Sequence, residues 1–120
     1  MVGQDVGRYG ELFFVMKAIE NGLNVLHPDG QLGYDFVVEY NGKFTRVQIK
    51  TTYAINFNGR YRFDVGTKSV GSDVFVFIVL KESLFFMYNT DIVRTVQKTF
   101  TIKTNEVNEN CNNWNIFKQL

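Results

Sequence analysis

The stretch Tyr34-Asp35-Phe36-Val37-Val38-Glu39-Tyr40-Asn41-Gly42-Lys43-Phe44-Thr45-Arg46-Val47-Gln48-Ile49-Lys50-Thr51 decides the fold. Asn-Gly between two alternating segments is a strong hairpin signal, because a two-residue turn that matches strand twist needs positive φ at both positions. Two strands are therefore expected, Tyr34 to Tyr40 and Lys43 to Thr51. Such a turn pairs Tyr40 with Lys43. Counting back, Glu39 faces Phe44, Val37 faces Arg46 and Asp35 faces Gln48. Opposite residues share a sheet face, with Cβ atoms roughly 4.5–5.5 Å apart. Lys50 lies two residues beyond Gln48, on that face again and diagonal to Asp35.

The two faces of this hairpin differ in chemistry. Phe36, Val38, Tyr40, Val47 and Ile49 make an apolar face suited to a core. The other face collects Asp35, Glu39, Arg46, Gln48 and Lys50, with Val37 and Phe44 among them. A solvated face with cross-strand charge pairs reads the same way, since half-exposed antiparallel hairpins are common.

Working outward, Asp5 is placed to cap a helix running to about Asn21, with Gly22 as its stop and Leu12, Val15, Met16 and Ile19 as its apolar stripe. Glu11 falls on the same side as Val15, Ala18 and Gly22. A carboxylate on the buried side of a helix is costly unless it is paired or binds a cation. In the first turns it also complements the helix dipole, which is the simpler account. A short strand is expected at Asn24 to Leu26, then a turn at Pro28-Asp29-Gly30. Further strands are expected at Arg60 to Val65, at Val74 to Leu80 (continuously apolar, so covered on both faces) and at Leu84 to Tyr88. A second helix over Asp91 to Lys98 and a strand over Thr99 to Lys103 follow, and Trp114, Ile116 and Phe117 end an Asn-rich tail. The sum is one mixed α/β domain over 1–120.

Composition narrows the function. The 120 residues are 45% hydrophobic, enough for one core, and the formal net charge of +1 excludes a general polycation. One cysteine, Cys111, and one histidine, His27, cannot build a disulfide or a His/Cys metal cluster. A metal would be a hard cation on oxygen ligands. Met1 to Asp5 lacks a signal-peptide pattern and no apolar run spans a bilayer, so a cytoplasmic protein with no membrane partner is expected. Asp35, Glu11, the side-chain oxygen of Gln48 and the carbonyl of Ile49 together suit Mg²⁺, with Mn²⁺ as a substitute. Such an ion polarises a phosphodiester and lowers the pKa of an attacking water. Lys50 would orient that water or stabilise charge on the phosphorane-like transition state.

These residues resemble the PD-(D/E)XK nuclease superfamily, whose core motif is a hairpin bearing an Asp and then (Glu/Asp)-x-Lys. The branch that includes group I intron-encoded homing endonucleases is similar in further features. They are the helix motif Gly7-Arg8-Tyr9-Gly10-Glu11, the turn Gly22-Leu23-Asn24-Val25-Leu26-His27-Pro28, and the segments Tyr34 to Val38 and Phe44 to Thr51. The likeness covers roughly residues 3–90. It implies a restriction-endonuclease-like core, a mixed β-sheet with a catalytic hairpin flanked by helices, and Mg²⁺-dependent hydrolysis of DNA. It carries Glu11, Asp35, Gln48 and Lys50 over as active-site positions. Gln48 stands where most superfamily members have Glu or Asp; the resembling branch has Gln as well. The literal Pro28-Asp29 lies outside the hairpin register, so Asp35 is the metal-binding Asp.

Double-stranded DNA is the expected partner, contacted by Thr51, Thr52, Tyr53, Asn56, Asn58, Arg60, Arg62 and Lys68. A plain hairpin reads equally well in that segment. One active site cuts one strand, so a homodimer or homotetramer is expected, with Leu84 to Tyr88 and the Trp114 tail as candidate interfaces. A sequence-specific endonuclease is the leading reading. A structure-selective nuclease such as a Holliday-junction resolvase, and a non-catalytic DNA-binding domain on the same fold, are the alternatives.

Overall fold

The computed structural model describes residues 3–30, 32–54, 57–66, 71–93, 98–104 and 108–119. Helix α1 (Gly3–Glu20) carries Asp5 in its first turn and Lys17 in its last, each favourable to the helix dipole. Its end is a Schellman cap. Gly22, at φ 79°, donates to Ile19 O at 3.0 Å, and Leu23 N donates to Ala18 O at 3.0 Å. Strands β1 (Asn24–Leu26), β2 (Phe36–Tyr40), β3 (Lys43–Thr52), β4 (Arg60–Asp64), β5 (Val74–Val79) and β6 (Leu84–Asn89) follow. A short helix α2 (Thr90–Val93), strand β7 (Thr99–Lys103) and a 3₁₀ turn (Trp114–Phe117) complete the order. Residues 94–97 of the expected second helix lie outside the described residues, and Lys98 is not helical.

The sheet order is β1-β2-β3-β5-β6, and β4 pairs with β7 in a separate two-stranded ribbon. Only the β3–β5 pair of the large sheet is parallel; the rest are antiparallel. The hairpin register is the expected one, with Tyr40 opposite Lys43, Val37 opposite Arg46 and Phe36 opposite Val47. Asn41 and Gly42 supply the positive φ values, 49° and 82°, that the turn demands.

Three layers result. One sheet face, with Phe36, Val38, Val47, Ile49, Val76 and Met87, packs under α1 and the C-terminal turn. The opposite face, with Phe75, Phe77, Phe86 and Tyr88, packs under the β4–β7 ribbon through Tyr61, Phe63 and Ile102. Strand β5 is buried at every position because it is covered on both sides. This is the expected α/β core, a mixed β-sheet covered on both faces. Among the described residues no helix is long and apolar enough to cross a membrane.

Two expectations are corrected. Leu12, Met16 and Ile19 are 65%, 50% and 61% exposed, whereas Gly10, Phe14 and Ala18 are buried. Residues Leu12 to Met16 are apolar without a break, so periodicity does not choose a face. The sheet takes the side where small Gly10 and Ala18 allow close approach and Phe14 fills the gap. The candidate interfaces are likewise used within the chain. Phe85 to Tyr88 are buried, and the β6 edge is closed by Met87 N to Asn110 O (2.9 Å) and Asn112 N to Phe85 O (2.6 Å). Trp114 stacks on Phe14 at 5.7 Å, and Phe117 is fully buried.

Candidate active site

Asp35 precedes β2, and its N–H continues the hairpin ladder by donating to Val47 O at 2.8 Å. Its carboxylate turns toward β3. Oδ2 accepts from Ile49 N at 2.7 Å and from Gln48 Nε2 at 3.0 Å. The register prediction thus places Asp35 and Gln48 in direct contact. On the same hairpin, a fork ties β3 to the segment entering β5: Arg46 donates from N, Nε and Nη2 to the Asp73 carboxylate at 2.9, 3.1 and 2.9 Å. That pair holds the Asp73 carboxyl below the usual carboxylate range.

Glu11, two and a half turns into α1, meets Asp35 across an open cleft of about 520 Å³ that Gln4, Arg8, His27 and Phe36 also line. Burial raises the Glu11 carboxyl above its ordinary value, and the Asp35 charge raises it further; Arg8 and His27 oppose this. Burial likewise raises Asp35, against the Ile49 N–H and the Lys50 charge. Lys50 is therefore in electrostatic reach of Asp35, half-buried in register with Phe77 of β5, as Gln48 is with Phe75. The structure brings Glu11, Asp35, Gln48 and Lys50 to one place. Asp29 sits apart in an exposed bend.

Two half-buried carboxylates lining one cleft make a place where a cation relieves both burial and repulsion. Among the described residues no three His, Cys, Asp or Glu side chains converge on a metal-sized site. The available donors are the Asp35 and Glu11 carboxylates, the Gln48 amide oxygen and the Ile49 carbonyl. That set fits a hard divalent ion bound through one or two carboxylates while keeping several waters, which is Mg²⁺ behaviour.

Of the expected DNA contacts, Thr51 lies against Gly10 of α1. Thr52 ends β3, Tyr53 is 50% exposed, and Asn58, at φ 68°, leads into β4. Arg60 and Arg62 are on the exposed side of the ribbon, opposite Lys103 and Thr101. Asn56 and Lys68 lie outside the described residues. The cleft also holds Arg8 and His27, which are not among the expected site residues. Arg8 is three residues before Glu11 and so shares its helix face, a signal that was legible. His27, its ring edge-on to Phe36 at 4.9 Å, carried no local signal.

The sequence matches the PD-(D/E)XK endonuclease family over residues 1–115. The chain belongs to that family. The bacterial homing endonuclease I-Ssp6803I is similar in structure, with a TM-score of 0.84 at 21% identity, covering 98% of this chain and 92% of that one. Hjc of Archaeoglobus fulgidus, a Holliday junction resolvase from an archaeal hyperthermophile, is similar with a TM-score of 0.58 at 11% identity, covering 81% and 83%. No curated protein matches the sequence. As a member of the PD-(D/E)XK endonucleases, the chain has a nuclease fold.

Proposed function

We propose that this chain is a single-domain, metal-dependent DNA endonuclease of the sequence-specific homing type, acting in the cytoplasm of a bacterial or phage-infected cell. The observation that carries the reading is the Asp35 carboxylate, held by Gln48 and Ile49 and facing Glu11 in one cleft, with Lys50 in charge range. Bound there, Mg²⁺ or Mn²⁺ supplies a polarised phosphodiester and a more acidic water. Asp35 and Glu11 would hold the ion, together with the Gln48 side-chain oxygen and the Ile49 carbonyl. Lys50 stabilises negative charge that grows on the phosphate as the P–O bond breaks. Gln48 brings no charge, which weakens the second of any two metal sites.

The exposed strand pair Arg60–Arg62 and Thr101–Lys103 and the segment Thr52 to Asn58 provide backbone-phosphate and base-edge contacts. Two strand cuts need two active sites, so the working form is a homodimer or homotetramer. The homing reading comes first because the fold follows I-Ssp6803I along nearly its whole length. Similarity to Hjc supports a second reading as a junction-selective nuclease.

The test is cleavage of a mixed plasmid and phage duplex library and of a four-way junction, with Mg²⁺, Mn²⁺ or EDTA. Metal-dependent cutting at a restricted set of duplex sites is expected. Cutting of the junction alone selects the second reading, and no cutting of any DNA overturns both.

A further inference from the structure

Gly10 has no room for a side chain. A Cβ added there would overlap Thr51 Oγ1 and stand 2.7 Å from Thr51 Cγ2 and 2.9 Å from Thr51 Cβ. Rotating Thr51 about χ1 moves the hydroxyl and methyl but leaves its Cβ in place, so the clash is not relieved by a rotamer change. A glycine inside a helix lowers its stability relative to alanine, and Gly10 is not at a helix end or at positive φ. Its role is therefore steric: it lets α1 approach β3 closely at Thr51.

Both partners of this contact adjoin the candidate site. Glu11 follows Gly10, and Thr51 follows Lys50. We infer that the Gly10–Thr51 contact is a positioning device that sets the reach of Glu11 toward Asp35. The inference rests on the reading of Glu11 as a metal-binding carboxylate. Restoring an ordinary contact of 3.4 Å or more from 2.7–2.9 Å moves the helix by about half an ångström or more. Metal–ligand distances tolerate only about 0.2 Å. An alanine at this position thus displaces Glu11 by more than the site accepts, while the core layers beneath Phe14 and Ala18 remain apolar and closed.

The experiment compares wild type, Gly10→Ala, Thr51→Ala and the double variant. It reads circular dichroism, Mn²⁺ binding by calorimetry without DNA, and single-turnover cleavage. Gly10→Ala is expected to fold, to bind Mn²⁺ more weakly, and to lose about tenfold or more in single-turnover rate at saturating enzyme, short of the roughly 100-fold that a full 1 Å misplacement costs. Thr51→Ala removes the two nearest contacts and should restore part of both losses. Wild-type Mn²⁺ binding by Gly10→Ala overturns the inference, as does a loss that Thr51→Ala leaves untouched. Should Gly10→Ala not fold, the double variant must fold and bind Mn²⁺ more weakly than Thr51→Ala; failure of either also overturns it. Failure of the nuclease reading looks different, because Asp35→Ala would then cut and bind Mn²⁺ as wild type does.

Discussion

The two sides of α1 have opposite logic. The inner side presents Gly10, Phe14 and Ala18, one aromatic between two small residues, all buried against the sheet. The outer side presents Tyr9, Leu12, Met16 and Ile19, all large and all at least half exposed. Hydrophobicity alone would have chosen the outer side. The inner side wins because close approach to a sheet needs small residues, and one ring then fills the remaining space at interior density. Glu11 lies at the margin between the sides, half-buried, where the helix meets the cleft.

The sharpest way to break this comparison is Phe14→Ala. Phe14 is fully buried and within ring contact of Phe36, Trp114 and Phe117 at 5.8, 5.7 and 6.2 Å. Its truncation is expected to cost about 3–5 kcal/mol in urea unfolding. A cost near zero would mean that α1 does not pack through this side.

A smaller effect comes from the margin. The Glu11 and Asp35 carboxyls are raised, mainly by burial. A carboxyl whose folded pKa exceeds its unfolded value binds more protons in the native state, so metal-free stability falls as pH rises through that window. Glu11→Gln should therefore stabilise the metal-free protein modestly at neutral pH and flatten the pH dependence. Unfolding curves from pH 4 to 8 check this expectation; a steeper dependence in Glu11→Gln would contradict it.

The smallest effect belongs to the outer side. Leu12→Gln, Met16→Gln and Ile19→Gln should each change stability by no more than about 0.5 kcal/mol in dilute solution. A larger loss that grows with protein concentration would show that another chain covers this stripe.

The hairpin was legible because its turn fixes the register. Asn41-Gly42 sets every pairing, and with it the contact between Asp35 and Gln48. The buried strand Val74–Val79 was legible from its unbroken apolar run. The buried face of α1 was not, since apolar residues nearly encircle the helix and only the sheet selects among them. The docking of Trp114 to Phe117, the closing of the β6 edge and the pairing of β4 with β7 join residues far apart in the chain, for which no local pattern exists. Of the site, the spacing of the hairpin brought out Asp35, Gln48 and Lys50, and helix phase brought out Glu11. His27 enters the cleft only through the tertiary fold.

The central claim is that Asp35 and Lys50 of the hairpin act together with a divalent ion. Wild type, Asp35→Ala and Lys50→Ala should be compared in Mg²⁺-dependent cleavage of duplex DNA, with circular dichroism to establish folding. The account predicts folded variants that each lose roughly 10²–10³-fold in rate, the scale on which transition-state charge stabilisation acts. Undiminished cutting by either folded variant would contradict it.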